Sequence, residues 1–228
     1  RAAQLGLATA VVEREFLGGV CLNLGCIPSK ALLRNAEIIQ TLKTGSKEFG
    51  FESGEIRADY SVAVRRSRQV SNRMVKGVEF LLKKNSIDVI RGAARIPEPG
   101  VVEVSPAESA LSSPAVSTRY ACKHIVIATG AHPSSLPGVA PDGKSILTYR
   151  EAILRETLPA SAVIIGGGPI GLEFATLWSS YGVRITVVEM LPRIAPLEDE
   201  EVSAELAKAL TRRSIDVRVG SAVEAAEP

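Results

Sequence analysis

Ala162-Val163-Ile164-Ile165-Gly166-Gly167-Gly168-Pro169-Ile170-Gly171-Leu172-Glu173-Phe174-Ala175 runs from an apolar strand into G-x-G-x-x-G and out into a helix. The strand Ile185-Thr186-Val187-Val188-Glu189 follows and ends in an acid. A bare G-x-G-x-x-G is weak evidence, but strand, glycines, helix, strand and acid in this order mark a dinucleotide-binding βαβ unit. Gly166 makes the tight turn, Gly168 lets backbone approach a pyrophosphate, and Gly171 lets the helix pack close to the strand. The helix N-terminus offers N–H groups and a positive dipole to the phosphates. The remaining fingerprint residues Gly167, Pro169, Ile170, Leu172 and Glu173 are grouped with this nucleotide site, which points to NAD. Glu189 would accept hydrogen bonds from the adenosine ribose hydroxyls. The competing reading is a glycine turn with no ligand.

The chain contains its own comparison. Gly6-Leu-Ala-Thr-Ala-Val-Val-Glu13 matches Gly182-Val-Arg-Ile-Thr-Val-Val-Glu189 at an offset of 176 residues. At that offset the partners of Gly166, Gly168 and Gly171 fall upstream of Arg1, so a first fingerprint is expected to be missing from this sequence. Arg1-Ala2-Ala3-Gln4-Leu5 then reads as the tail of its helix, and Glu13 as the ribose-binding acid of a first nucleotide site.

Between the two acids lies Gly18-Gly19-Val20-Cys21-Leu22-Asn23-Leu24-Gly25-Cys26-Ile27-Pro28-Ser29-Lys30. Four residues separate the cysteines, and an amphipathic stretch follows. A disulfide over so short a loop adds little chain-entropy stabilisation, which grows with loop length. It is better suited to opening and closing, and a helix N-terminus favours a thiolate. The pair reads as a redox-active dithiol/disulfide, with Cα atoms expected within about 4.4–6.8 Å. Two inert thiols are the alternative. No metal site is expected, because zinc would want more Cys or His at short spacing. Cys122 reads as a strand-edge residue without a role. A redox disulfide between two nucleotide sites implies a flavin and a nicotinamide.

Hydrophobic residues make up 46% of the 228-residue chain and charged residues 23%, as in a globular protein. A net charge of +2 argues against nucleic acid or a membrane surface as partner. No apolar run approaches the roughly 20 residues of a membrane span. A lone catalytic cysteine pair suits the cytoplasm, although the sequence does not begin with Met and a targeting peptide is not addressed by it.

The expected fold is α/β, with two Rossmann-like three-layer βαβ nucleotide-binding domains, both incomplete: an FAD-binding domain over 1–145 and an NAD-binding domain over 146–228. Expected strands are Thr9–Glu13, Ile87–Arg91, Val101–Val104, Val116–Tyr120 and His124–Ala128 in the first, with a third strand Ile215–Val219 in the second. Expected helices are Cys26–Lys43, Tyr60–Lys84 and Asp199–Arg213. Gly45–Asp59 reads as a loop, Ser105–Pro114 as a turn-rich connection and Pro133–Lys144 as the linker. The basic run Arg65-Arg66-Ser67-Arg68 reads as a solvated helix face.

The Gly-Gly-Val-Cys-Leu-Asn-Leu-Gly-Cys-Ile-Pro-Ser-Lys-Ala-Leu-Leu string and the second fingerprint resemble the pyridine nucleotide–disulfide oxidoreductases over essentially the whole chain. Within that family the resemblance is to the branch that oxidises dihydrolipoyl groups. Glutathione and thioredoxin reductases usually carry a second Lys where Ser29 stands, mercuric reductases favour Val-Asn where Leu22-Asn23 stands, and soluble transhydrogenases lack the second Cys. The resemblance implies that Glu13, Gly18, Gly19, Val20 and Cys21 line FAD, that Cys21 exchanges with the dithiol substrate, and that Cys26 faces the flavin. It implies that Lys30 lies by the isoalloxazine and pairs with Glu173. It places Ala94 near the FAD adenine, Thr129, Gly130 and Ala131 in the turn under FAD, and Val223 beside the NAD adenine. It further implies a lipoyl carrier domain of a 2-oxo acid dehydrogenase or glycine cleavage complex as partner and a homodimer as the intact enzyme. The His/Glu base of the family lies in a C-terminal domain not seen here, since neither His124 nor His132 has that context. Read this way the sequence is a fragment, expected to bind FAD poorly and to lack turnover alone. A related disulfide or metal-ion reductase, or a non-catalytic nucleotide-binding module, are the alternatives.

Overall fold

A computed structural model describes residues 1–106, 117–134 and 136–227. In chain order its elements are β1 (Ala10–Glu13), α1 (Gly19–Asn23), α2 (Cys26–Gln40), α3 (Tyr60–Lys84), β2 (Asp88–Arg91), β3 (Ala93–Glu98), β4 (Val101–Ser105), β5 (Thr118–Ala121), α4 (Tyr149–Ala152), β6 (Ser161–Ile165), α5 (Pro169–Ser180), β7 (Arg184–Val188), α6 (Glu200–Arg212) and β8 (Asp216–Arg218). They form two compact units, each made of two chain segments. One holds Arg1–Asn23 and Ser71–His132, the other Leu24–Val70 and Pro133–Pro228. Mixed parallel and antiparallel sheets with covering helices give the expected α/β class.

In the second unit β6, β7 and β8 lie side by side and parallel. Ile185 and Val187 of β7 are buried, as a central parallel strand requires. Helix α2 packs on α5. Its buried residues Pro28, Ser29, Leu32, Ala36 and Ile39 fall at three- and four-residue spacing and so share one face. Leu32 is fully buried and contributes roughly 2 kcal/mol of transfer free energy. Trp178 of α5 donates its indole N–H to the Tyr60 hydroxyl at 3.1 Å. Burial pushes the Tyr60 hydroxyl up to about 12.

In the first unit β1 and β2 pair in parallel from Ala10↔Asp88 to Glu13↔Arg91. An antiparallel meander β3-β4-β5 follows. Gly92 joins the two sheets at φ +156°, where a Cβ would meet the Ser105 carbonyl and Val104 Cγ1. Glu103 of β4 is buried, with Arg95 at 2.7 Å and Arg119 at 3.6 Å. The Ser117 hydroxyl first, then Arg95, hold its carboxyl below the ordinary glutamate value. A depressed folded pKa stabilises the fold above the unfolded value of 4.5 and loses that contribution as pH falls through the folded one. The melting temperature of Glu103→Gln is therefore expected to fall less steeply than wild type between pH 5 and pH 3 in calorimetry; parallel slopes would contradict this.

Both units carry the same backbone hydrogen bonds. Gly6 N–H donates to the Ala3 carbonyl and Leu7 N–H to the Ala2 carbonyl, at 3.0 and 3.2 Å. At the offset of 176, Gly182 donates to Ser179 and Val183 to Trp178, at 2.9 and 3.2 Å. The two glycines have φ +84° and +94°, a left-handed helix terminus that suits glycine. A second repeat joins Ser86-Ile87-Asp88-Val89 to Ser214-Ile215-Asp216-Val217. Ser86 and Ser214 both have left-handed φ, 54° and 60°. Ile87 donates to Leu82 and Ile215 to Leu210. Asp88 opens the register against Ala10, and Asp216 against Thr186. The duplication first visible around Glu13 and Glu189 thus extends through the next helix end and strand.

Several expectations are corrected. Residues 124–128 are not a strand: they have no regular structure, and Val126 and Ile127 are 87% and 73% exposed. Apolar content alone does not make a strand where no neighbour pairs with it. Helix α2 stops at Gln40 and passes into a π-turn over Thr41–Gly45. There the Thr41 and Thr44 hydroxyls bond back to the Glu37 and Gln40 carbonyls, which loosens a helix end. Strand β3 was not expected, because all six of its residues are exposed and it contains Pro97. The short helices α1 and α4 were also not expected; α4 is closed by a Thr148/Glu151 capping box. Residues 107–114 of the expected connection, Val116 and Ser135 lie outside the described residues.

Candidate functional site

The second unit builds the fingerprint as its residue types dictate. Gly166 follows β6 at φ +103° and donates its N–H to the Val188 carbonyl at 2.8 Å. Gly168 is the N-cap of α5, extended at φ −80°, ψ 176°, and Pro169 begins the helix. A Cβ on Gly168 would meet nothing within 4 Å, so the approach to the helix N-terminus is open. A Cβ on Gly171 would strike the Gly166 carbonyl and lie 3.1 Å from Ile164 Cγ2. These are the open approach and the close helix packing that a bound pyrophosphate needs. Ile170 is half exposed beside the turn and Leu172 is buried.

Glu189 follows β7 and is buried, at 7% exposure. Gly167 donates its N–H to one carboxylate oxygen at 2.7 Å and Leu191 donates to the other at 2.8 Å. The carboxylate is therefore locked to the glycine turn. Each oxygen accepts one bond and has a second lone pair for a diol. Gly167, expected simply as a lining residue, is the donor that fixes the acid. In the first unit Glu13 accepts the Glu15 N–H at 2.7 Å, the same link to the residue two positions on.

Lys30 and Glu173 meet, with Nζ and Oε1 2.6 Å apart, joining α2 to α5 inside the second unit. Their side chains are 63% and 28% exposed, so the pair adds little stability and serves to place the ammonium. Cys26 is the first residue of α2, and Lys30, four residues on, lies on the same face. Ser29 donates its hydroxyl to the Cys26 carbonyl at 3.2 Å.

The first unit holds Gly18, Gly19, Val20 and Cys21. Gly18 and Gly19 have φ +86° and +64°, and a Cβ on Gly18 would overlap Leu22. Val20 and Cys21 lie in α1. Cys21 and Cys26 are both exposed. Asn23, named above only within the Leu22-Asn23 pair, is buried and donates to the Leu17 and Gly19 carbonyls at 3.0 and 2.9 Å, closing the turn under Cys21. The signal was available: a buried asparagine inside an otherwise apolar helix turn must find acceptors. Ala94 lies on exposed β3, and Thr129, Gly130 and Ala131 are exposed, with Gly130 at φ +79°. Val223 is half-buried in a segment without regular structure. Cys122 follows β5, its thiol 3.6 Å from the Gly100 carbonyl. Among the described residues no group of His, Cys, Asp and Glu could hold a metal ion, and no helix is long and apolar enough to cross a membrane.

The second unit thus carries a nucleotide fingerprint, and the Lys30–Glu173 pair ties to it the helix that begins at Cys26. The family model for pyridine nucleotide-disulphide oxidoreductases matches residues 1–228, and the chain belongs to that family. It is 45% identical to a dihydrolipoyl dehydrogenase of Rhizobium etli over 100% of this chain and 49% of that protein. It is 44% identical to one of Mycobacterium leprae over 98% of this chain and 47% of that protein. Among solved structures it resembles LpdA of Mycobacterium tuberculosis, with TM-score 0.85 and 22% identity over 98% of this chain and 48% of that one, which bears on the fold. It also resembles the HOCl-induced flavoprotein disulfide reductase RclA of Escherichia coli in its Cu(II) complex, with TM-score 0.75 and 25% identity over 98% and 46%. The chain spans about half the length of the curated relatives it matches.

Proposed function

We propose that the protein is a flavin-dependent disulfide oxidoreductase that oxidises dihydrolipoyl groups on a carrier protein and reduces NAD. The observation that carries this reading is the Lys30–Glu173 pair, which fastens the helix begun by Cys26 to the helix begun by the nucleotide fingerprint. The identities of 41–45% to dihydrolipoyl dehydrogenases along the whole chain support the same substrate class.

In this reading residues 1–145 serve FAD and residues 146–228 serve NAD, and the bound flavin and nicotinamide supply the electron and hydride chemistry. The chain's own work is thiol exchange. A substrate thiolate attacks Cys21 Sγ of the Cys21–Cys26 disulfide, and the S–S bond breaks to leave Cys26 as thiolate. The second substrate thiolate then attacks the substrate sulfur of the mixed disulfide, freeing Cys21 and closing the substrate as its own disulfide. Two electrons now rest on Cys21 and Cys26. Lys30 places a positive charge on the Cys26 face of α2, and Glu173 fixes where that charge sits. Glu13, Gly18, Gly19, Val20, Ala94, Thr129, Gly130 and Ala131 line the flavin side; Gly166–Glu173, Glu189 and Val223 line the nicotinamide side. The partner is a lipoyl domain of a 2-oxo acid dehydrogenase or glycine cleavage complex, the working form is a homodimer, and the compartment is the cytoplasm.

The test is steady-state kinetics of the full-length protein with dihydrolipoamide. A carboxylate at Glu189 binds a ribose diol and repels a 2′-phosphate, and Met190-Leu191-Pro192 intervene before the next cation. NAD is expected to be preferred over NADP by at least about a hundredfold in kcat/KM. Equal efficiencies would refute the cofactor assignment. Faster turnover with glutathione disulfide or a metal ion than with lipoamide would refute the substrate.

A further inference from the structure

Arg193 is the nearest cation to follow Glu189 in the chain, four residues on. Four residues span at most about 14 Å even when fully extended. The loop between them is far from extended, because it is pinned on several sides. Leu191 N–H donates to Glu189, Gly220 N–H to the Leu191 carbonyl at 2.9 Å, and Ala195 N–H to the Gly167 carbonyl at 2.8 Å. Ile194 is buried against Gly167. Arg193 is thus held in the loop that borders the acid reading the ribose.

Its guanidinium is engaged elsewhere. One terminal nitrogen lies 2.7 Å from the Glu200 carboxylate in the first turn of α6, and the other donates to the Pro196 carbonyl at 3.2 Å. Its Nε is buried and, among the described residues, has no hydrogen-bond partner. An unsatisfied buried donor is costly, so this pose is held by Glu200 and Pro196 at the expense of the third nitrogen. Glu200 itself is 83% exposed and can be replaced without opening the core.

We propose that Arg193 and Glu200 form a second determinant of nucleotide choice: Glu200 neutralises and tethers a cation of the loop after Glu189 that could otherwise receive a 2′-phosphate. Glu189 repels that phosphate and Glu200 withholds its counter-charge. The proposal rests on the NAD reading of the fingerprint.

The experiment measures binding of ADP-ribose and 2′-phospho-ADP-ribose to the full-length protein by titration calorimetry at low salt, for wild type, Glu200→Gln and Arg193→Gln/Glu200→Gln. Glu200→Gln is expected to lower the preference for ADP-ribose about fivefold, chiefly by tighter binding of the 2′-phospho ligand. The double variant is expected to restore the wild-type ratio, which a purely structural role for the pair would not do. An unchanged ratio in Glu200→Gln, with ADP-ribose still bound, overturns this proposal and leaves the NAD reading standing. Loss of preference that persists in the double variant also overturns it. Failure of the wild type to bind ADP-ribose overturns both.

Discussion

Replacing Cys26 by serine in the full-length protein is expected to lower dihydrolipoamide-dependent NAD reduction by at least about a thousandfold. A hydroxyl can neither form the disulfide nor hold the two electrons that leave the substrate, so the exchange at Cys21 has nowhere to deliver them. The fold should not notice. Cys26 is exposed at the start of α2, and the backbone bond from Ser29 N–H to the Gly25 carbonyl, 3.1 Å, does not involve its side chain. The control is ADP-ribose binding, which should match wild type because the Gly166–Gly171 turn lies on a different loop. Turnover within tenfold of wild type would mean that the electrons travel by a route that does not use Cys26. The same loss should follow from Cys21→Ser, while Cys122→Ser should leave turnover unchanged.

What was legible in the sequence was whatever the backbone itself demands. A tight turn at Gly166, a close approach at Gly171 and an acid at the end of the next strand are requirements of chain geometry, and each can be met by few residue types. The long helix Tyr60–Lys84 was legible for a related reason: its apolar positions recur at helical spacing over 25 residues. The repeat around Glu13 and Glu189 was legible because Val-Val-Glu is identical in both copies. Its continuation through Ser86 and Ser214 was harder to see, because four matching residues sit between helices and loops that have diverged.

The failures have physical causes of their own. Residues 124–128 have strand composition, but strand formation depends on a paired neighbour and a single chain segment carries no information about who that neighbour is. Strand β3 has the reverse problem, since backbone pairing with β4 holds it while every side chain faces solvent. The lock on Glu189 was invisible because both of its donors, Gly167 and Leu191, are backbone N–H groups. Every residue but proline carries one, so no residue type announces it.

Two glycines of one turn separate binding from stability. At Gly171 a side chain would strike the Gly166 carbonyl and crowd Ile164, so Gly171→Val forces α5 away from β6. That overpacking is expected to cost about 3 kcal/mol of stability and, by displacing the turn, to weaken ADP-ribose as well. At Gly168 the situation is opposite. Its φ of −80° and ψ of 176° suit alanine, and a Cβ meets no protein atom within 4 Å. Gly168→Ala should therefore melt within about 2 °C of wild type, since the poorer N-cap of alanine and its smaller unfolded-state entropy oppose each other and leave a net change of less than about 0.5 kcal/mol. Yet the added methyl occupies the space through which a pyrophosphate reaches the N–H groups at the start of α5. ADP-ribose affinity is expected to fall at least about tenfold, a loss of roughly 1.4 kcal/mol in binding with none in folding. Calorimetric titration and thermal melts on the two variants give four numbers. If Gly168→Ala binds ADP-ribose as wild type does, the open space above Gly168 is not where the phosphates sit, and the glycines serve the fold alone.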